Sequence, residues 1–321
     1  MRAAQITAPR HIEIVDVPEP RLNGAAPGMI KVRVERACLC GSDSPWFTHM
    51  PRYPQPPGES IHECLGTVVE STSARFVVGD LALAVPYRQA GLCEYFCVSD
   101  ANAIHLPRGQ MPLERLLMAQ PLGTAIWACR KLGNLIGLDM VVVGQGPMGL
   151  LFSHLLSNLG ARTVIGLDRL DYRLEAAHAM HATHTINVDR QDPAAAVREI
   201  TEGKMADVAF EVVGHQGIAI DLCLDLVRRL GTVVAFGSPD RATYRDFPYE
   251  KLFRQNLTLI GSVTADPLSS YPLARDMILQ GRIDVSPLIT HVLPFFEVQK
   301  AFELFVDRQD RAIKVVLDYE Q

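Results

Sequence analysis

The chain has 321 residues, enough for about two domains with substantial buried cores. Hydrophobic residues make up 48% of it and charged residues 21%, which excludes a disordered or fibrous protein. The net charge is -5 and no block of like charge occurs, so we expect no nucleic-acid partner.

No part of the sequence has the character of a targeting or membrane segment. The first residues, MRAAQITAPRHIEIVDV, lack the apolar run of a signal peptide, and no later stretch approaches the ~18 apolar residues of a membrane span. The seven cysteines are an odd number spread along the chain, unlike a secreted disulfide scaffold. We therefore expect a cytoplasmic protein with reduced thiols and no membrane partner.

The sequence predicts two kinds of architecture in chain order. Up to about Pro112, short β-rich runs such as IEIVDV and MIKVRVERA are separated by turns, which indicates an antiparallel, barrel-like unit. From Leu113, apolar runs such as MVVVG and DVAFEVVG alternate with helix-period stretches, which is βαβ patterning. The last strand, AIKVVLDY, returns to the first kind. We predict an α/β protein with a β-rich domain at 1–122 and 264–321 and a doubly wound parallel sheet at 123–263.

A glycine-rich turn joins a predicted strand to a predicted helix in VVVGQGPMGLLFSHLL. Gly144, Gly146 and Gly149 have the G-x-G-x-x-G spacing, and Pro147 and Met148 complete the turn. The first glycine permits the tight turn, the second lets the backbone approach a pyrophosphate, and the third allows close packing of helix on strand. The context predicts a dinucleotide-binding site made of these five residues.

An acidic residue ends the next predicted strand, in TVIGLDRLDYR. Asp168 lies where a carboxylate can accept hydrogen bonds from the hydroxyls of the adenosine ribose, which favours NAD. Its charge would repel the 2′-phosphate of NADP, although Arg169 and Arg173 nearby could offset that repulsion. We predict NAD as the preferred cofactor and assign all three residues to its site.

A set of metal-binding residue types occurs in the β-rich half. Cys40 begins the segment CGSD, and His62 and Glu63 open the segment HECLG. A thiolate, an imidazole and a carboxylate together suit zinc. Taken singly, each residue has an ordinary structural role as well. Cys93 and Cys97, which share one face of a predicted strand, are assigned to core packing.

Together with the nucleotide motif, these segments resemble the zinc-dependent medium-chain dehydrogenases, the family of alcohol, polyol and glucose dehydrogenases. The motifs CGSD, HExxG, VVGD, AQPLGTAIWACRKLG and GQGPMG carry the resemblance over almost the whole chain. CGSD followed by the PL motif is most similar to sorbitol and other polyol dehydrogenases. The resemblance implies a GroES-like catalytic domain joined to a Rossmann domain, a small alcohol or carbonyl substrate, and a homodimer or homotetramer.

The resemblance also implies roles for single residues near the metal. Cys40 and His62 would bind one catalytic zinc, and Glu63 would be a ligand or would exchange with bound water. Asp43 would orient His62. Ser42 would accept the proton of the substrate hydroxyl.

For the cofactor, the resemblance places Thr124 beside the nicotinamide and brings Val213 and Gly237 into contact with the dinucleotide.

The sequence departs from the family pattern at several positions. Gln120 stands where the family supplies a further zinc ligand, so Gln120 or water would complete four-coordination. Ile61 replaces the glycine that precedes the HE pair, and Pro45 replaces the relay histidine, for which His49 is a candidate substitute. The four-cysteine lobe that holds a structural zinc in many relatives is missing, so we expect one catalytic zinc and no structural zinc.

These observations predict hydride transfer between a secondary alcohol, such as a polyol or sugar, and NAD(P). Two alternatives stay open at this point. One is a metal-free reductase of the quinone or enoyl type, which the changes at Gln120 and Ile61 would allow. The other is a nucleotide-binding protein without catalysis.

Overall fold

A computed structural model gives the fold and describes residues 1–22, 26–214, 217–239 and 242–320. Within these ranges, no helix has both the length and the apolar character of a membrane span. The chain forms two compact units, each assembled from segments distant in sequence. Unit 1 consists of Met1–Gly123, Asp266–Gly281 and Ile289–Gln321, and unit 2 consists of Thr124–Ala265 and Arg282–Leu288.

Unit 1 is built on β-strands that pair mainly antiparallel. Its strands are β1 (Arg2–Ala8), β2 (His11–Asp16), β3 (Met29–Cys38), β4 (Glu63–Ser71), β5 (Leu81–Ala84), β6 (Tyr95–Ser99), β7 (Ala103–Leu106), β14 (Ile289–Pro294) and β15 (Lys314–Asp318). β1 and β2 form a hairpin, and the larger sheet has the order β14-β15-β3-β4-β5-β7, with β6 also paired to β3. Because β15 pairs antiparallel with β3, the end of the chain completes the sheet of unit 1.

Short helices accompany this sheet, and its inner face forms an apolar core. The helices that lie wholly in unit 1 are α1 (Ser44–Thr48), α2 (Leu113–Leu117), α9 (Pro267–Leu279) and α10 (Val298–Val306), while α3 (Ala119–Cys129) contains the boundary between the units. Alternate residues of β3, Ile30, Val32 and Val34, are buried in the core, as a strand with period two requires. Phe302 of α10 packs on Phe47 of α1, with ring centroids 5.2 Å apart.

Unit 2 is a parallel sheet with helices between its strands. The strands are β8 (Asp139–Val143), β9 (Thr163–Asp168), β10 (His184–Asn187), β11 (Ala206–Glu211), β12 (Val227–Ala235) and β13 (Thr258–Gly261). The helices are α4 (Pro147–Asn158), α5 (Asp171–Ala179), α6 (Pro193–Ile200), α7 (Gly217–Leu226) and α8 (Tyr249–Arg254). The strand order is β10-β9-β8-β11-β12-β13 and every pairing is parallel. This is a doubly wound sheet, and the predicted α/β fold class is confirmed.

Candidate active site

The pairing of β3 with β4 brings the predicted metal ligands to one end of the sheet. β3 ends at Cys38 and β4 begins at Glu63, and these two residues are opposite each other in the antiparallel register. Cys40 lies just beyond the end of β3, and His62 lies just before the start of β4. Ligands that are far apart in sequence therefore meet because the strands that precede and follow them are paired.

The three side chains converge closely enough to hold one metal ion. One donor atom from each of Cys40, His62 and Glu63 lies within 4.8 Å of the other two. Cys40 and His62 are partly buried, and Glu63 is buried. Sulfur, imidazole nitrogen and carboxylate oxygen are the ligand types that zinc takes in proteins, so the donor set fits zinc.

Buried polar atoms without partners occur on His62 and on two residues that closely follow Cys40. His62 Nδ1, Ser42 Oγ and Asp43 Oδ1 are buried, and none of them has a hydrogen-bond partner among the described residues. Asp43 Oδ2 instead accepts a hydrogen bond of 2.7 Å from the backbone N–H of Cys40. Buried polar atoms without partners are rare in folded proteins, and their clustering here is consistent with a site that takes a ligand.

Burial strongly affects the ionisable groups of this site. It raises the pKa of the Cys40 thiol, and the charge of Glu63 raises it further, while the charge of Lys314 and the backbone N–H of Ser42 lower it. Burial also raises the pKa of Asp43 well above its usual range, although the neighbouring His62 opposes this shift. Because a thiol must lose its proton to bind a metal, a cation is needed to favour the Cys40 thiolate here.

Two further predicted residues of unit 1 have partners of their own. Gln120 is buried, and its Nε2 donates to the Tyr271 hydroxyl at 3.3 Å. His49 is exposed at the end of α1, and its Nδ1 lies 2.6 Å from the hydroxyl of Thr48. The role of Gln120 as a fourth zinc ligand and the role of His49 as a proton relay remain predictions.

The glycine turn of unit 2 is shaped by close backbone contacts. Gly144 has a φ of +94°, and a Cβ placed on Gly149 would lie 1.8 Å from the carbonyl oxygen of Gly144. Gly146 is the N-cap of α4, which begins at Pro147 and continues through Met148. Backbone N–H groups at the start of this helix can therefore face a phosphate.

The end of β9 carries the acidic residue expected at a ribose. The Asp168 carboxylate accepts hydrogen bonds from the backbone N–H groups of Gln145 at 2.8 Å and Arg169 at 2.7 Å. Arg173 Nη1 is 3.7 Å from Asp168, whereas the Arg169 guanidinium is paired with Asp189 at 2.9 Å.

A second acidic residue organises the neighbouring strand ends. Glu211 ends β11 and is buried, and its carboxylate accepts hydrogen bonds from the backbone N–H groups of Val213 at 2.9 Å, Gly214 at 2.8 Å and Gly237 at 3.2 Å. A Cβ on Gly237 would lie 2.2 Å from the nitrogen of Gly214, so only glycine fits there. Thr124 lies in α3, at the first position of unit 2.

Comparisons with known proteins match segments of both units. Residues 26–115 match the alcohol dehydrogenase GroES-like domain, and residues 147–280 match the zinc-binding dehydrogenase domain. The chain belongs to the zinc-dependent medium-chain dehydrogenase family. This assignment confirms the resemblance and makes the protein an oxidoreductase of the alcohol and polyol dehydrogenase kind.

Individual relatives match this dehydrogenase over nearly its full length. An L-threonine 3-dehydrogenase of Caldanaerobacter subterraneus is 28% identical, with 93% of this chain and 94% of the relative covered. A sorbitol dehydrogenase of Bacillus subtilis is 26% identical, with coverage of 99% and 97%. Among solved structures, alcohol dehydrogenase TADH from Thermus sp. ATN1 is 28% identical and superposes with a TM-score of 0.86, with 99% of each chain covered.

Lys314, a buried charged residue beside the candidate metal ligands, was not predicted from the sequence. Lys314 Nζ donates to Glu63 Oε2 at 2.6 Å and to the carbonyl oxygen of Leu39 at 2.8 Å, and the Cys38 thiol donates to the same Glu63 oxygen at 2.7 Å. Burial lowers the pKa of Lys314, but the acidic groups of Cys38 and Glu63 outweigh burial and raise it. A lysine inside the apolar strand AIKVVLDY was the available signal.

Proposed function

We propose that this dehydrogenase oxidises a secondary alcohol, such as a polyol or sugar, or reduces the matching carbonyl, with zinc and NAD. The convergence of Cys40, His62 and Glu63 donor atoms within 4.8 Å carries the proposal. The names of the relatives, L-threonine 3-dehydrogenase and sorbitol dehydrogenase, support a small substrate that bears a hydroxyl group. We also propose that the protein is cytoplasmic and forms a homodimer or a homotetramer.

Cys40, His62 and Glu63 would hold the zinc, with Gln120 or a water molecule as the fourth ligand. When bound, zinc supplies a Lewis acid that lowers the pKa of the substrate hydroxyl. Lys314 and Cys38 hold the Glu63 carboxylate through their hydrogen bonds to Oε2. This arrangement fixes the orientation of Glu63 and leaves its other oxygen available to the metal.

Ser42 is the residue that takes the proton from the substrate. Its hydroxyl oxygen is buried and has no partner among the described residues, so it is available to accept a hydrogen bond from an alcohol. The proton then passes to solvent or to the ribose of the cofactor, with His49 as a further candidate for its release. A bound nicotinamide would supply the acceptor for the hydride of the alcohol carbon, which carries two electrons and one proton, and the other proton of the oxidation leaves through Ser42.

The nucleotide would bind at the carboxyl ends of the strands of unit 2. The glycine turn, with Gly146 at the start of α4, receives the pyrophosphate, and Arg173 lies beside it, with Nη1 3.6 Å from a Cβ placed on Gly146. The negative charge of Asp168 and the pairing of Arg169 with Asp189 both disfavour a 2′-phosphate. These features support NAD over NADP, with Thr124, Val213 and Gly237 as further contacts.

Steady-state oxidation of secondary alcohols by purified, zinc-supplemented protein tests this proposal. We expect a higher kcat/KM with NAD than with NADP, and loss of turnover by at least about 1000-fold in Cys40→Ala, because one zinc ligand is removed. Cys97→Ala, which changes a half-buried cysteine on β6, is the matched control and should keep wild-type turnover.

Two results would contradict the proposal. Wild-type turnover by zinc-free Cys40→Ala would indicate a metal-free reductase of the same fold. Tight NAD binding without turnover of any alcohol or carbonyl would indicate a protein that binds nucleotide without catalysis.

A further inference from the structure

A cavity in unit 1 opens beside the segments that carry the metal ligands. It has a volume of about 420 Å³ and is lined by Trp46, Pro56, Glu59, Arg88 and Gln89. Trp46 lies on α1, which directly follows the turn that holds Ser42, and Glu59 lies in the loop that leads to His62. The walls of the cavity are thus continuous in the chain with the proposed catalytic residues.

Backbone hydrogen bonds join the two loops that form these walls, and the backbone of both loops is strained. The N–H of Ser60 donates to the carbonyl oxygen of Gln89 at 2.8 Å, and the N–H of Gly91 donates to that of Ile61 at 2.9 Å. Ser60, Arg88 and Gln89 have φ values of +144°, +54° and +57°, which side-chain-bearing residues rarely adopt. Clustered strain of this kind is typical of ligand-binding loops.

Two oppositely charged side chains line the cavity, the half-buried Glu59 and the exposed Arg88. Glu59 and Arg88 form no ion pair with each other, and neither side chain has a hydrogen-bond or ion-pair partner among the described residues. Gln89 Oε1 is buried and also lacks a hydrogen-bond partner. The cavity therefore presents a carboxylate and an amide oxygen as acceptors, together with a guanidinium as a donor.

We propose that Glu59, Gln89 and Arg88 form a specificity subsite for a hydroxy amino acid, that is, a substrate carrying an ammonium group and a carboxylate besides its reacting hydroxyl. Glu59 and Gln89 accept hydrogen bonds from the ammonium group, and Arg88 binds the carboxylate. The inference rests on the proposed function, because it identifies the substrate class of the same site.

The charges in the cavity distinguish this class from others. A neutral polyol could donate to Glu59 or accept from Arg88, but it would supply no opposite charge to either group. A phosphorylated or purely carboxylic substrate would place its anion near Glu59, and a purely cationic one would meet Arg88. A zwitterion alone satisfies both charges.

The test compares two hydroxy amino acids with 2,3-butanediol, a neutral secondary alcohol. The amino acids are L-threonine and its homologue in which the hydroxyl group is one carbon further from the α-carbon. The zinc-supplemented holoenzyme is assayed as wild type, Arg88→Gln and Glu59→Gln. We expect each variant to lower the ratio of kcat/KM for the preferred amino acid to kcat/KM for the diol by about 10- to 100-fold, mainly through KM. Arg198→Gln, an exposed charge change on α6, is the control and should leave the ratio unchanged.

A binding measurement separates failure of the subsite from failure of the proposed activity. The chain has two tryptophans, so in a Trp127→Phe background the fluorescence of Trp46 reports on the cavity directly. We expect the amino acid to change this fluorescence, and Arg88→Gln to weaken its binding. Turnover of the diol with no fluorescence response to either amino acid, or with an unchanged ratio in both variants, would overturn the subsite alone. Absence of turnover with every alcohol would count against the proposed function instead.

Discussion

Lys314 supplies a buried positive charge beside the proposed metal ligands. Its ammonium group and the Glu63 carboxylate are each about 1% exposed and lie 2.6 Å apart. A buried ion pair contributes little net stability, but removal of one partner leaves the other charge buried without compensation. In metal-free protein, Lys314 is therefore the cation that makes a buried Glu63 carboxylate tolerable.

Lys314→Met should destabilise the metal-free protein more than the zinc-loaded protein. We expect a loss of about 3–5 kcal/mol in the free energy of unfolding without zinc, because Glu63 is left without a cation. The loss should be smaller when zinc is bound next to the carboxylate. Chemical denaturation of both forms measures the difference.

Lys300→Met provides the control, since Lys300 forms an exposed pair with Glu297 on the surface. Such a pair is worth less than about 1 kcal/mol, with or without zinc. Equal destabilisation of metal-free and zinc-loaded Lys314→Met would show that Glu63 does not share its charge between Lys314 and the metal.

At the level of elements, the contact between β3 and β4 positions the ligands, and Gly66 makes that contact possible. A Cβ on Gly66 would lie 1.9 Å from the carbonyl oxygen of Arg33 on β3. Any side chain at this position must push the two strands apart. The register that places Cys38 opposite Glu63 depends on this close approach.

Gly66→Ala should weaken both the fold and the metal site. We expect a loss of about 1–3 kcal/mol in the free energy of unfolding, together with weaker zinc binding, because the displaced β4 carries His62 and Glu63 with it. Titration with a chromogenic zinc chelator and denaturant unfolding measure the two effects. Gly133→Ala, which meets no atom within 4 Å, is the matched control. Equal zinc affinity in Gly66→Ala and wild type would contradict the role of strand spacing.

Glu35 ties β3 to β4 and to the segment after β7. Its carboxylate accepts hydrogen bonds from Arg108 at 2.9 and 3.1 Å and from the Thr67 hydroxyl. Burial raises the pKa of Glu35, but the hydrogen bonds from Arg108 and Thr67 outweigh burial, and the net effect is a lowered pKa. A lowered pKa in the folded state means that the charged form stabilises the fold.

This contribution should be lost in acid. Above about pH 5 the carboxylate is ionised in both the folded and the unfolded chain, so Glu35→Gln should cost about 1–3 kcal/mol in the free energy of unfolding. As the pH falls below the ordinary glutamate pKa of about 4.3 and through the lower folded value, the gap between wild type and variant should close. Denaturation at a series of pH values measures it. A gap that stays constant down to the lowest pH would contradict the stabilising role of the charge.

For the whole molecule, local sequence patterns were sufficient for the fold and for the segments of the candidate site. The near-continuous apolar runs of β8 and β11 predicted a sheet covered on both faces, and the spacing of Gly144, Gly146 and Gly149 predicted the turn that precedes α4. These signals are local because strand burial and turn geometry depend on neighbouring residues.

Contacts between distant segments were beyond the reach of such patterns. Lys314 contacts Glu63 only because β15 pairs with β3, and Arg88 and Glu59 line one cavity only because two loops are joined by backbone hydrogen bonds. Neither the Lys314–Glu63 contact nor the shared cavity of Arg88 and Glu59 has a spacing in the sequence that marks it. The Glu211 carboxylate likewise acquires its role from turns that follow two different strands.

The metal content of the purified protein tests the central claim most directly. Elemental analysis measures the metal per chain in protein that is prepared without chelator, both with and without added zinc. The Cys40→Ala variant is prepared and measured in parallel. The account predicts about one zinc per chain in the wild type, because the donor set of Cys40, His62 and Glu63 forms a single site, and a strong loss of zinc in the variant. Wild-type protein that holds no zinc after supplementation, yet still oxidises secondary alcohols with NAD, would contradict it.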